Sequence, residues 1–272
     1  MKTNFMKKNT LLSISILTLL SAGISQNAFS EEEAAAGEQE ETVIEKLERQ
    51  GISIGGLSDD PHQNREDITL SEAELLLWET DQLSNIDKTG TIRYEFERKG
   101  TMDDGFTDSV ELNISEIKDD GMKSAAVVFF SGDRNQSVAP NENTNGNPVL
   151  GVYLQGDVYE MNRLTEGSWR YFHKRIKFAL ADDANIEPIT IKVDGQDVSA
   201  KKVTITPYEN DPKRKMFEDY ADKVYEITVS EDVPGMLYEI RTTIPASKKE
   251  GAEAGTEPMV VETLVYAGVD FE

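Results

Sequence analysis

The sequence predicts an α+β fold: a mainly antiparallel β-sheet of about eight strands, curved, with an N-terminal helix and an inserted helix pair. Three observations carry that expectation. Short runs of alternating apolar and polar residues are separated by Asp-Gly and Pro-Gly turns. Two stretches between Asn147 and Leu180 change to helical spacing. The strand–helix–strand alternation that builds a parallel sheet does not occur, so turn-joined neighbours must be antiparallel.

The elements follow in order. Ser71 and Glu74 form a capping box before Leu75, Leu76, Leu77 and Trp78, and Leu83 and Ile86 continue the apolar side, so a helix should dock there. After Thr89-Gly90 the period becomes two. Ile92, Tyr94 and Phe96 form one face, and after the turn residues Asp103-Asp104-Gly105, Val110, Leu112 and Ile114 form the next. Residues 125–130 are apolar on both sides, which predicts a central strand. The polar stretch 133–147 reads as a loop ending in Asn147-Pro148, an N-cap and first helical residue. Leu150, Tyr153, Leu154, Met161 and Leu164 then make one helical stripe. A second helix from Ser168 gathers Trp169, Phe172, Ile176, Ala179 and Leu180. Gly151 and Gly156 interrupt the first of these and predict a close approach or a kink. Strands resume at 189–193, turn at Asp194-Gly195 and return through 203–205. Asp211-Pro212 starts a short turn or helix to Tyr220. Tyr225, Ile227 and Val229 pair across Val233-Pro234-Gly235 with Tyr238, Ile240 and Ile244. Residues 247–257 form a loop, and 260–266 supply the last strand.

Composition bounds the rest. Residues 1–30 read as a signal peptide: Lys2, Lys7 and Lys8 precede the apolar run 11–20, and Ala28-Phe29-Ser30 suits cleavage after Ser30. Ten apolar residues are about half a bilayer span, so no stable membrane span is expected after removal, and the protein should be periplasmic or secreted. Residues 31–67 hold twelve acids and three bases and read as a flexible acidic arm, with a short helix from Thr42 to Gly51. Residues 68–272 should form a single domain. With no cysteine, thiol catalysis, thiolate metal sites and disulfides are excluded. Loss of the three leader lysines takes the formal charge from −23 to −26, which argues against nucleic acid as a partner.

From Ser71 onward, a helix before the first strand, an antiparallel sheet with one wet face and helices on the other resemble in layout the LolA-like lipoprotein-carrier superfamily, over roughly residues 70–272. The resemblance implies a concave apolar cavity that cradles acyl chains. It brings no diagnostic motif.

Motifs for chemistry are few. Gly51-Ile52-Ser53-Ile54-Gly55 matches the form of a nucleophile elbow but lacks the strand, helix and late histidine that the chemistry needs, since the later histidines are His62 and His173. Asn141, Asn143, Asn145 and Gly146 imitate the start of a calcium loop, yet Val152 stands where a bidentate glutamate is required. His62 and His173 are too far apart in sequence for a zinc pair. Asp103-Asp104 and Asp119-Asp120 sit beside glycines, as turns do. No metal and no cofactor is expected.

Two features stand out as ligand or contact candidates. Asp157 lies at the edge of the first helix's apolar stripe, where an unpaired carboxylate is costly. It either pairs with Arg170 or Arg175 or serves as a functional carboxylate in a cavity. Between 163 and 177 the bases Arg163, Arg170, Lys174, Arg175 and Lys177 face the single acid Glu166. They either neutralise internal acids or meet an anionic partner, with Arg170, Lys174 and Lys177 on one face. The expected function is an exported, non-enzymatic binding or interaction module for an acyl chain, an anionic ligand or another envelope component. The alternatives are a carboxylate-dependent hydrolase and a structural part of an envelope assembly. The sequence leaves the oligomeric state open.

Overall fold

The structure is a computed structural model that describes residues 69–136, 138–247 and 257–272. The leader, the acidic arm, Ser53, His62 and most of the loop 247–257 lie outside the described residues. Among the described residues nine strands form one sheet in the order β4-β3-β2-β1-β9-β8-β7-β6-β5, and every neighbouring pair is antiparallel. The strands are β1 Gly90–Lys99, β2 Phe106–Ile117, β3 Lys123–Phe129, β4 Asn141–Thr144, β5 Asn185–Val193, β6 Gln196–Ile205, β7 Val224–Val229, β8 Leu237–Ile244 and β9 Val260–Phe271. The helices are α1 Glu72–Glu74, α2 Pro148–Thr165, α3 Trp169–Asp182 and α4 Arg214–Phe217.

The capping box forms as its spacing predicts. Ser71 Oγ accepts from the Glu74 amide, and the Ser71 amide donates to the Glu74 carboxylate. The helix it starts is short and widens into a π-turn, Leu75–Glu79. Four large apolar residues in a row cannot share one helical face: Leu77 is buried, and Leu75 and Trp78 are exposed. Leu83 and Ile86 reach the core from the turns that follow.

The core lies between one face of the sheet and α2 with α3. Ile92 stands opposite Leu112, Tyr94 opposite Val110 and Phe96 opposite Leu264, so alternation puts Arg93, Glu95 and Glu97 on the outer face. Asn147 caps α2 by accepting from the Val149 amide at 3.1 Å. Phe172, Ile176, Ala179 and Leu180 of α3 are buried against the same core. In the β7–β8 turn Gly235 has φ +73°, and a Cβ there would meet Ile92 Cδ1 at 2.9 Å, so backbone freedom and close packing both require glycine. Asp194 and Gly195, at φ +50° and +80°, make the left-handed two-residue turn of the β5–β6 hairpin.

Several expectations change. The described residues hold nine strands, in keeping with the expected sheet of about eight, and the one not foreseen is the asparagine-rich β4, which carries no apolar alternation by which to be recognised. β3 is therefore second from an edge, with Val128 on its exposed side, and is not central. Asn141 and Asn143 belong to β4, where the Asn143 amide donates to Asn141 Oδ1 and Lys118 donates to Asn143 Oδ1. A calcium ion would have to compete with that ammonium. A Cβ at Gly151 or Gly156 would meet nothing within 4 Å, so no close approach explains them. Tyr238 does not join Ile240 and Ile244. A register shift between Thr228 and Val229 places Leu237 inward and sends Tyr238 to a second cluster with Ile191, Ala200 and Val233.

Candidate functional site

Asp157 is 5% exposed, on the face of α2 that meets the sheet. Lys223, just before β7, donates its ammonium to Oδ1, and the Tyr225 hydroxyl donates to Oδ2 at 2.6 Å. The Tyr208 and Tyr225 hydroxyl oxygens are 3.2 Å apart. Burial, reinforced by the Asp157 charge, pushes both phenols well above their ordinary range, so both stay protonated donors. The expected partners are corrected: neither Arg170 nor Arg175 reaches Asp157. The Arg175 guanidinium lies 2.8 Å from Asp211 and donates to the Pro207 carbonyl at 3.2 Å, because its side of α3 faces the 207–211 loop. Arg170 stacks over the Trp169 ring at 4.6 Å.

The polar seam continues toward one end of the sheet. Tyr153, one turn before Asp157, has its hydroxyl 3.1 Å from Thr242 Oγ1 and donates to Glu262 at 3.1 Å. Glu262 accepts from Arg98 at 2.5 Å, and Arg98 also holds Asp103 at 2.8 Å and approaches Glu160 at 3.7 Å. Arg163 grips Glu160 through two bonds of 2.8 and 2.7 Å. Burial pushes the Glu160 carboxyl up, but the Arg163 bonds and the charges of Arg163, Arg98 and Lys223 outweigh it and hold the carboxyl below its usual range. Tyr153, Asp157 and Glu160 follow the helical i, i+4, i+7 rule, so one edge of α2 is polar for its whole contact with the sheet.

Each of these carboxylates is held by a cation or a hydroxyl donor. Their chemistry is therefore attachment of α2 to β1, β7, β8 and β9. Among the described residues no group of three or more His, Cys, Asp or Glu is arranged to hold a metal.

The outer face of α3 differs. Arg170, His173, Lys174 and Lys177 follow the i, i+3, i+4, i+7 spacing opposite Phe172, Ile176 and Ala179. The Lys174 ammonium lies 5.1 Å from the Phe178 ring centroid. Arg170 and Lys177 are exposed, and neither forms an ion pair with a carboxylate among the described residues. Asp182, at the C-terminal end, is the helix's one acid.

The described surface carries open grooves. One, of about 230 Å³, lies between Ser71–Ala73 and Leu180–Ile186. Another, of about 730 Å³, crosses β1, β2 and β9 on the outer face, lined by Glu95, Glu97, Thr107, Ser109, Thr263 and Val265. The expected apolar space under the helices is occupied by core side chains, with Leu150, Met161 and Phe172 fully buried there.

The sequence reading missed Arg98, Lys223, Thr242 and Glu262, although a signal existed. Arg98, Thr242 and Glu262 occupy the next inward positions of their strands, beside Phe96, Ile240 and Leu264, and Lys223, one residue before β7, continues the inward alternation of Tyr225. A polar residue at an inward position of an otherwise apolar series predicts a buried partner.

No protein-family model and no curated protein matches the chain. Among solved structures it is similar to the Mycobacterium tuberculosis lipoprotein LppX at 13% identity and a TM-score of 0.29, covering 74% of this chain and 100% of that one. It is also similar to a LolA superfamily protein of Nitrosomonas europaea at 8% identity and a TM-score of 0.20, covering 75% and 94%. Likenesses this loose carry no functional argument, and the reading below rests on the geometry.

Proposed function

We propose that the protein is an exported binding module of the cell envelope that meets an anionic component through the outer face of α3. The observation that carries this reading is the division among the five bases between 163 and 177. Arg175 neutralises the buried carboxylate of Asp211 and Arg163 is engaged in an exposed i, i+3 pair with Glu160, whereas Arg170 and Lys177 stand exposed on the outer face, forming no ion pair with a carboxylate among the described residues, with Lys174 between them. On a chain of formal charge −23, such a strip is the place to which an anion is drawn. A binding role also fits the carboxylates: Asp157, Asp211 and Glu262 are engaged in ion pairs, which leaves none of them free for acid–base hydrolysis. An acyl chain attached to the same component would enter only if α2 and α3 rose from the sheet, since the space beneath them is filled.

The test uses residues 31–272 and polyphosphate as a soluble anionic probe. Binding should weaken steeply between about 0.05 M and 0.5 M salt, as the screening length falls severalfold. Arg170→Glu with Lys177→Glu should weaken it at least about tenfold. Equal binding by the double variant overturns the assignment.

A further inference from the structure

We infer that His173 makes the basic strip of α3 respond to pH, so that the strip holds an anion more tightly as the medium turns acid; the inference rests on the anion-binding reading and adds its regulation. Histidine is the side chain whose charge changes between about pH 5 and 8. The sequence holds two, and His62 lies outside the described residues. His173 is exposed on α3, three residues after Arg170, four before Lys177 and next to Lys174. Residues three and four apart are neighbours on a helix surface, with about 5–6 Å between their Cβ atoms. The imidazole forms no hydrogen bond or ion pair among the described residues, so its charge is available to a ligand at the strip.

The groups that face α3 from its neighbours leave the strip positive. α1 brings Glu72, which lies 3.0 Å from Lys201 of β6, and Glu74, which is held in the capping box. In the 207–217 segment Asp211 is held by Arg175, and Glu209 accepts from Thr206 Oγ1 at 3.1 Å. The same segment adds Lys213, over the Tyr171 ring, and Arg214, paired with Asp222. α2 brings Glu160, gripped by Arg163, and the exposed Glu166 at its C-terminal cap. Asp182 ends α3, nine residues or about 13 Å of helix beyond His173. Glu166 and Asp182 thus flank the strip, and no acid stands between Arg170 and Lys177. A proton on His173 raises the formal charge of Arg170, His173, Lys174 and Lys177 together from three to four.

One added unit charge about 6 Å from an anionic group in water strengthens the attraction about threefold. Carboxylates ordinarily stay ionised above about pH 5. Glu239, whose carboxyl is pushed up by burial, stands opposite Val265 on the outer face of the sheet, whereas α3 covers the inner one.

The test measures binding of dextran sulfate, whose sulfate esters keep their charge, to residues 31–272 between pH about 7.5 and about 5.5 at about 0.05 M salt. Affinity should rise about two- to threefold over that range. His173→Gln should bind throughout as the wild type does at the upper pH, and His173→Lys as the wild type does at the lower. His62→Gln should keep the wild-type profile. Melting curves for each variant confirm folding, and the opposite directions of the two His173 variants check one another. A rise that survives in His173→Gln, or a flat wild-type profile with binding intact, overturns the pH response and leaves the anion-binding reading standing. Absence of wild-type binding at both pH values overturns the anion-binding reading and the pH response with it.

Discussion

Asp157→Ala leaves the Lys223 ammonium, 3% exposed, without its carboxylate and removes the stronger of the two hydroxyl contacts of Tyr225. Breaking a buried ion pair from one side typically costs about 3–5 kcal/mol, because the surviving charge stays desolvated. With a denaturant slope of about 2–3 kcal/mol/M for a domain of this size, the urea midpoint should fall by about 1–2 M. Removing both charges through Asp157→Leu with Lys223→Met should recover most of the loss, since Tyr225 can still donate to Tyr208 at 3.2 Å. Equilibrium urea unfolding of the four proteins of that cycle, followed by circular dichroism, gives the coupling energy directly, and about 2 kcal/mol or more is expected. Single variants with the wild-type midpoint, or a double variant as unstable as the two singles summed, would refute the buried pair.

Tyr94, Tyr153, Tyr208 and Tyr225 all have phenols pushed up, mainly by burial. Their contribution to stability is complete below the unfolded value of about 10 and is lost as pH rises through the folded values, so their tyrosinate absorbance should appear in one step with loss of ellipticity. Smooth ionisation of all nine tyrosines before unfolding contradicts this. At the acid end Asp103 and Glu160 are held below their usual range, so their stabilisation is present above about pH 4 to 4.5 and disappears as pH falls through the lower folded values. Arg98→Met should cost about 2–4 kcal/mol at neutral pH and flatten that acid limb in melting curves measured from pH about 7 down to about 3. Asp211→Asn, at a carboxylate whose side chain is fully buried beside Arg175, should lower the urea midpoint by the equivalent of about 2–3 kcal/mol, and an unchanged midpoint contradicts the pair.

The sheet and the helix pair were legible because their cause is periodic. Ile92-Tyr94-Phe96 can bury one face only as a strand, and Phe172-Ile176-Ala179 only as a helix. β4 was illegible for the converse reason: Asn141-Glu142-Asn143-Thr144 is strand by pairing with β3 alone. The burial of Asp157 was readable from its place at the edge of an apolar stripe, but its partner was not. Lys223 is 66 residues away and meets it through the packing of α2 on β7, which no local spacing encodes. The two neighbouring arginines that sequence proximity favoured are instead turned to Trp169 and Asp211 by their own positions on α3. Of the basic cluster, composition showed the excess of charge, and only the fold divides it into Arg163 and Arg175, which are engaged by Glu160 and Asp211, and Arg170 and Lys177, which form no ion pair with a carboxylate among the described residues.

Backbone amide spectra of isotope-labelled protein, residues 31–272, titrated with polyphosphate at about 0.05 M salt, address the central assignment most directly. The shifts should concentrate on Arg170, His173, Lys174 and Lys177 and collapse at about 0.5 M salt, while the outer-face groove around Glu95, Thr107 and Ser109 stays unmoved. Shifts confined to that groove, or an absence of shifts along α3, would contradict the account.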